Sequence, residues 1–376
     1  MSKERINILK GAKRILVKIG SGVLTGHDGL DLDIIGHLVD EVSEYSRKGF
    51  HFVIVSSGAI ASGMNRMGFK GNLHNLPQKQ AAAAIGQGRL MRVYANAFGR
   101  HKLVTAQILL TMSDLTNRQR FLNIRNTLST LVEWGVIPII NENDTVSVDE
   151  IKFGDNDTLA SIMANITDAN LLINLTNTEG LYDRDPRGAK KSRLISLVTE
   201  ITAEIEAAAS SEPDTVGMGG MKSKVIAAGK VTASGIPCII AHGKKAGILS
   251  DIFSGKETGT LFLPTTQHLK SKKSWIAFTL RSMGKICIDR GAENAIVNQG
   301  RSLLPSGIVR IDGDFHMGDP VTCVNEDGVS IAKGLVNYSS SDIERIKGLQ
   351  TTRIKQVLGD KTYDEIIHRD NMAVSR

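Results

Sequence analysis

An α/β architecture, a mostly parallel sheet sandwiched by helices with a small β-rich domain after it, is what this sequence predicts. Three observations lead there. Short apolar runs alternate with stretches of helical periodicity through the first two-thirds of the chain. Most of those runs end in turns made of small and polar residues. The patterning then breaks at residues 264–274, PTTQHLKSKKS, where no apolar period continues. Alternation of this kind yields parallel strands whose crossover helices cover both faces. The predicted division is a first domain over residues 1–264, a linker over 265–274 and a β-rich domain over 275–376. At 376 residues the chain exceeds the ~250–300 at which a single core stops growing, which suits two domains.

Taken in order, residues 14–19 read RILVKI, a short buried strand running into the glycine turn Gly20-Ser21-Gly22. Ile35, Leu38, Val39 and Val42 follow at the spacing of one helix face, with Gly49 as the stop signal. Residues 50–55 form the next strand, ending at Ser56-Ser57-Gly58, and complete a βαβ unit. Phe121, Ile124, Leu128, Leu131 and Val132 make a second helical stripe, closed by Gly135 before a strand over 136–140. Further strands are expected over 171–175 and 237–241, the latter preceded by a helix over 221–234. After the linker, residues 285–288, 307–311, 320–324 and 330–336 read as short strands between Gly/Asp turns.

Composition removes several function classes. Net charge is +7, with 30 Lys/Arg against 26 Asp/Glu up to residue 264 and 16 against 13 beyond it. Basic residues are thus spread evenly, and nucleic-acid binding is not demanded by charge. Cys238, Cys287 and Cys323 show no CxxC spacing, and nine scattered histidines form no HExxH pair. Neither a disulfide framework nor a protein-ligated metal is expected, and a reducing, cytoplasmic location fits. The N-terminal residues lack the apolar core of a signal peptide, and no segment has the ~18–20 apolar residues of a membrane span.

In open parallel sheets ligands sit beyond the carboxyl ends of the strands. Here those ends carry GSG, SSGA, NENDT and LTNTEG, each suited either to a phosphate or amino acid or merely to a solvated turn. GSGVLTG at residues 20–26 spaces its glycines as GxGxxxG, one residue off the dinucleotide fingerprint, and no Walker A loop is present. A second glycine loop, residues 217–220, opens the helix that carries Lys224 in its first turn. A lysine there opposes the helix dipole, a conflict that bound polyphosphate would remove; a mobile surface loop is the plain alternative. Asp155-Asn156-Asp157 precedes another helix. Asp157 either caps that helix or orients lysines and approaches a nucleotide-borne magnesium ion. Asn141-Glu142-Asn143-Asp144 offers acceptors for an ammonium group and donors for a carboxylate, as an amino acid requires.

These segments, in this order, resemble the amino-acid kinase family, and within it the branch that phosphorylates glutamate. The matching stretches are VKIGSGVLTG (17–26), IVSSGAIASG (54–63), PIINENDTV (138–146), IKFGDNDTLA (151–160), EGLYDRDPR (179–187) and GGMKSK (219–224). RGAENAI and SLLPSGI make the tail similar to a PUA domain, and the likeness runs from Ile15 to about Lys347. The resemblance implies the amino-acid kinase fold and ATP-dependent phosphorylation of the L-glutamate γ-carboxylate to L-glutamyl 5-phosphate, the first step of proline biosynthesis. It implies Lys18, Lys224 and Asp157 as the catalytic set. It implies Ser57, Asp144 and Asn156 as glutamate-binding. ATP would be bound by Lys18, Thr176 and Asn177, and by Met218, Gly219, Gly220, Met221, Lys222, Ser223 and Lys224, with Mg2+ carried by the nucleotide. Partners would be L-glutamate and ATP, proline as feedback inhibitor, a downstream glutamyl-phosphate reductase and further copies of the chain, with RNA binding by the tail left open. The sequence departs from the family pattern at Asn177, usually Asp, at Met218, usually polar, and at Gly22, often Ser.

The chemistry suits the residue types. A γ-carboxylate with a reference pKa of ~4.3 is already ionised at neutral pH and needs no general base. The barrier is the approach of an anion to a triphosphate, so cations and backbone N–H groups are the parts required. The alternatives are a kinase of this fold for aspartate, N-acetylglutamate, carbamate or UMP, or an RNA-binding protein acting through its tail. The first is answered by a substrate panel, and the second predicts salt-dependent RNA binding.

Overall fold

In the computed structural model of the chain, residues 3–26, 29–69, 71, 73, 75–147, 156–184, 192–210, 220–264, 273, 276–277, 280, 282–359 and 363–374 are described. The chain divides into two units, Met1–His268 and Leu269–Arg376. Of the expected 265–274 linker, only Lys273 falls among the described residues.

The first unit begins α1 (Lys3–Gly11), β1 (Arg14–Ile19), α2 (Ser21–Leu24), β2 (Thr25–Gly26), β3 (Gly29–Leu30), α3 (Leu32–Arg47), β4 (His51–Ser56) and α4 (Ala59–Arg66). It continues α5 (Leu76–Gly99), β5 (Thr105–Leu110), α6 (Met112–Thr116), α7 (Arg118–Glu133), β6 (Ile137–Glu142), α8 (Asn156–Ile166) and β7 (Leu171–Thr176). It closes with β8 (Leu197–Val198), α9 (Ala203–Ser210), α10 (Met221–Ala233), β9 (Cys238–His242), α11 (Ile248–Phe253) and β10 (Thr260–Phe262). Eight strands form one sheet in the order β5-β6-β4-β1-β7-β9-β10-β8. Every neighbouring pair is parallel except β9–β10.

The strands expected in this unit are present, but β4, β6 and β7 extend into polar residues read from sequence as turns. Ser56, Asn141, Glu142 and Thr176 are their last residues. Backbone pairing is indifferent to side-chain polarity, so the ladder continues where the apolar pattern stops. The GSG turn is likewise shorter than expected, because a four-residue helix starts at Ser21. Strands β5, β8 and β10 escaped the reading: β5 lies at the sheet edge and is half-exposed, and β8 and β10 have two and three residues.

Strand alternation sorts the sheet into two faces. Ile15, Val17, Ile19, Ile54, Ile139, Ile173 and Leu175 belong to one core with Leu38 and Val42 of α3, Leu90 and Tyr94 of α5, and Ile252 of α11. Lys18 and Asn174 occupy the intervening positions, paired across β1 and β7. They therefore project to the opposite face, where α8 supplies Asp157 and α10 supplies Lys224. A two-residue period thus places two polar side chains of central strands on the same side as two helix N-termini.

The second unit has a five-stranded sheet ordered β12-β11-β13-β14-β15, built from β11 (Gly284–Ile288), β12 (Ile308–Asp312), β13 (Pro320–Val324), β14 (Ser330–Leu335) and β15 (Met372–Val374). The pairs are antiparallel except β11–β13. RGAENAI lies in a helix, Arg290–Val297, whose first turn is capped by Asp289 accepting from Ala292 N–H at 2.7 Å. Ile286, Ile288, Ile296, Phe315, Val321 and Ile343 bury a separate core. No helix among the described residues is long and apolar enough to cross a membrane.

Candidate active site

Asp157 is the centre of a buried charged cluster. Its carboxylate lies 2.5 Å from Lys18 Nζ and 3.4 Å from Lys224 Nζ, and all three side chains are almost entirely shielded from solvent. Asn174 Nδ2 donates to Oδ1 and Ser223 Oγ donates to Oδ2, both at 2.8 Å. Each carboxylate oxygen therefore holds one lysine and one neutral donor. Burial by itself would raise its pKa; Lys18 first and Lys224 second outweigh burial and hold it at about 2. Among the described residues the cluster therefore pairs two ammoniums with one shared carboxylate.

The cluster sits where loops converge. A side chain on Gly20 would begin 3.7 Å from Lys18 Nζ, and one on Gly22 would begin 3.6 Å from Asn177 Nδ2. The departures at Gly22 and Asn177 are thus neighbours in space, on the β1 and β7 strand ends. Thr176 Oγ1 donates to Asn177 Oδ1 at 3.3 Å. Gly220 caps α10 in extended backbone, and its carbonyl accepts from Lys224 Nζ at 3.2 Å. Within the same helix turn Met221 is buried and Lys222 is exposed, so only Ser223 and Lys224 of that run reach Asp157. Met218, Gly219 and Asp155 lie outside the described residues.

One residue before Asp157, Asn156 belongs to a different group. Its Nδ2 donates to Ser57 Oγ at 2.8 Å, to Asn141 Oδ1 at 2.9 Å and to Ser56 O at 3.3 Å. These contacts join the ends of β4 and β6 to the start of α8. Asp144 is half-buried in the turn after β6, where Ser147 N–H returns to Asn143 O at 3.0 Å. A cavity of about 340 Å³ opens beside that turn, between Asn143, Ser147, Thr111, Asp114 and Arg120. Sequence reasoning singled out neither Asn174 nor Ser56 as site residues. Asn174 had a signal, a lone amide within the apolar strand LLINLT.

The amino acid kinase family model matches residues 13–242. The chain belongs to the amino acid kinase family. The PUA domain model matches residues 284–358, so the second unit carries a PUA domain. Among relatives, a glutamate 5-kinase from Syntrophus aciditrophicus is 65% identical over 376 residues, covering 100% of this chain and 98% of that protein. A glutamate 5-kinase from Geobacter sulfurreducens is 50% identical, covering 98% of this chain and 100% of that protein. A solved carbamate kinase from Giardia lamblia bound to AMP-PNP has a TM-score of 0.49 at 16% identity, over 68% of this chain and 100% of that one. Both halves of the clustered site, Lys18 to Lys224 and Ser57 to Asn156, fall within the span matched by the amino acid kinase family.

Proposed function

We propose that this protein transfers the γ-phosphoryl group of ATP to the γ-carboxylate of L-glutamate, forming L-glutamyl 5-phosphate at the start of proline biosynthesis. The observation that carries the reading is the junction at α8, where Asp157 gathers two buried lysines and Asn156 gathers uncharged hydrogen-bonding groups. The first arrangement suits a polyphosphate and the second a small zwitterion, and adjacent residues keep them close. The glutamate 5-kinases that match end to end narrow the zwitterion to glutamate.

In this reading a γ-carboxylate oxygen attacks the γ-phosphorus, and ADP departs with the electron pair of the broken P–O bond. No proton is transferred, since the nucleophile is already an anion. Lys18 and Lys224 neutralise charge that spreads over the transferring group, and Asp157 holds both ammoniums in place while lowering the charge that must be buried. Thr176, Asn177 and the loop from Met218 to Lys224 bind the nucleotide, which brings Mg2+ to neutralise its phosphates. Ser57, Asn156 and Asp144 hold the amino acid, with Asp144 facing its ammonium group. The product is a labile acyl phosphate, which calls for a reductase to consume it. Proline is proposed as an inhibitor that shares the amino-acid pocket.

The test is ATP-dependent hydroxamate formation with L-glutamate, L-aspartate and N-acetyl-L-glutamate, each with and without proline. Turnover dominated by glutamate is expected, with proline lowering it. Preference for another acid would overturn the substrate assignment. A 1–264 fragment should retain glutamate-dependent turnover, because all proposed catalytic residues precede residue 265; a folded but inactive fragment would implicate the PUA-containing unit in the site.

A further inference from the structure

We propose that α5 is the positioning element of the amino-acid subsite, acting through a polar stripe of Gln80, Gln87 and Tyr94. The inference rests on the acceptor pocket proposed above. Seven residues are close to two helical turns, so these three side chains share one face of a 24-residue helix. Each touches a different segment of the pocket. Gln80 Nε2 donates to Ser147 O at 3.1 Å, pinning the turn that carries Asp144. Gln87 Oε1 accepts from Asn141 Nδ2 at 3.1 Å. Tyr94 OH and Ser56 Oγ share a hydrogen bond at 3.0 Å.

The strand ends explain why α5 meets these groups. Ile137, Ile139 and Asn141 alternate toward the α5 side, as do Phe52, Ile54 and Ser56. Each row is apolar until its last member, and the last member is polar. The α5 face makes the same change from Leu90, Ala97 and Phe98 to Gln87 and Gln80 at its other end.

The helix cannot slide to relieve a change at these contacts. A side chain on Gly63 of α4 would stand 1.8 Å from Ala82 O, and one on Gly86 of α5 would stand 1.9 Å from Ala59 O. The two backbones are therefore in direct contact, and α4 begins two residues after Ser57. The register of the stripe is fixed against the segment that supplies Ser57.

Gln87 is also the terminal acceptor of an amide relay. Asn141 donates to Gln87 and accepts from Asn156, which donates in turn to Ser57. The Ser56 carbonyl can only accept, so its 3.3 Å contact fixes the Asn156 amide, and with it the orientations of Asn141 and Gln87. Gln87 Nε2 and Asn156 Oδ1 are buried with no hydrogen-bond partner among the described residues. One relay thus leaves one donor and one acceptor over, and the Asn156 oxygen is suited to an ammonium group. Gln87 is a positioning residue: it acts on the substrate through Asn141 and Asn156.

The experiment measures KM for glutamate, KM for ATP, kcat and Tm in full-length wild type, Gln87→Leu, Tyr94→Phe and Gln80→Leu. Gln87→Leu should raise KM for glutamate at least 10-fold, with KM for ATP within twofold of wild type. Tyr94→Phe and Gln80→Leu should give the same selective rise at about threefold. A merely structural role would lower Tm or active fraction and leave the ratio of the two KM values unchanged. If Gln87→Leu does not fold, Tyr94→Phe, which loses only one oxygen, decides the matter. Selectivity for glutamate absent from every folded variant would overturn the proposal. Should wild type prefer another amino acid, the substrate assignment fails while the stripe is judged on KM for that amino acid.

Discussion

Asn156 and Asp157 are adjacent on α8, yet they organise two chemically opposite clusters. Around Asp157 the partners are charged and buried, two lysines with two neutral donors that saturate one carboxylate. Around Asn156 they are uncharged amides and hydroxyls, drawn from the ends of β4 and β6. In the proposed reaction the two sides meet different demands. A transferring phosphoryl group changes its charge distribution during reaction, and fixed cations gain interaction energy as it does so. An amino acid keeps its ammonium and α-carboxylate throughout, so its cluster need only match shape and hydrogen-bonding polarity. Variants on the charged side should therefore affect kcat, and variants on the amide side should affect KM.

The largest effect is expected at Lys224. Replacement by Met removes one ammonium from a buried site, and the analogous loss of one oxyanion donor costs about 2.7–4 kcal/mol, or 10²–10³-fold in kcat. Lys224→Met should show that fall at saturating ATP, with a smaller rise in KM for ATP. Lys→Arg should not restore activity at Lys18 or Lys224, because a planar fork does not occupy the space of an ammonium held within 3.4 Å of Asp157. Near-normal kcat in Lys224→Met would remove the distinction between the two clusters.

On the other side, Asp144→Ala should act mainly on KM for glutamate. Loss of a charge-assisted hydrogen bond costs about 1.5–3 kcal/mol, roughly one to two decades. Inhibition by proline should weaken in the same variant if proline shares the pocket. Steady-state kinetics with glutamate varied at saturating ATP provide the check, and an unchanged KM would place Asp144 outside the subsite.

The two clusters were unequally legible in the sequence. Lys18, Asp157 and Lys224 each stand beside glycines or other polar residues at strand or helix ends, and the family motifs run through all three. The central parallel sheet was equally plain, because its strands are buried on both faces and read as apolar runs. The amide relay was not, for a geometric reason. Gln87 and Tyr94 lie within a long helix in the sequence AAAAIGQGRLMRVY, where a glutamine or tyrosine looks like any other helical residue. Their significance arises only when α5 is laid against strand ends 38 residues before Tyr94 and 54 after Gln87. Strands β8 and β10 were hidden by brevity, since two or three residues carry no period.

The acid limb of stability sharpens the same contrast. Asp157 has its pKa held at about 2 in the folded chain, against an ordinary 3.8. As pH falls below about 3.8 the unfolded chain takes up the proton first, so stability present above that value is lost as pH descends toward 2. The buried carboxylate contributes about 2 kcal/mol in this way. Urea midpoints followed from pH 5 to pH 2 should show a smaller acid loss in Lys18→Met than in wild type. Removing the strongest attractor lets burial pull the Asp157 pKa back up. Equal acid slopes in the two proteins would mean that Lys18 does not hold the charge.

Glu41 offers the smallest effect and the cleanest contrast, because it is a buried carboxylate to which no lysine among the described residues is drawn in the manner of Asp157. It accepts from Ser250 N–H at 2.8 Å at the start of α11, while its Oε1 is buried with no hydrogen-bond partner among the described residues. Burial raises its pKa from the ordinary 4.5, only partly opposed by the N–H groups at the start of α11, Ser250 first. The sign is the reverse of Asp157: the folded chain binds this proton more tightly than the unfolded chain. Stability from Glu41 is therefore present below about 4.5 and is lost as pH rises through its elevated folded value. Glu41→Gln keeps the size and an oxygen acceptor for Ser250 but cannot ionise. Relative to wild type it should gain stability as pH rises from about 4.5 to about 7. Its kcat and both KM values should match wild type, since Glu41 packs between α3 and α11 and touches neither cluster. A loss of relative stability on raising the pH would show that the helix start, rather than burial, governs the Glu41 charge. The contrast with Asp157 would then reduce to the presence of a donor instead of a full cation.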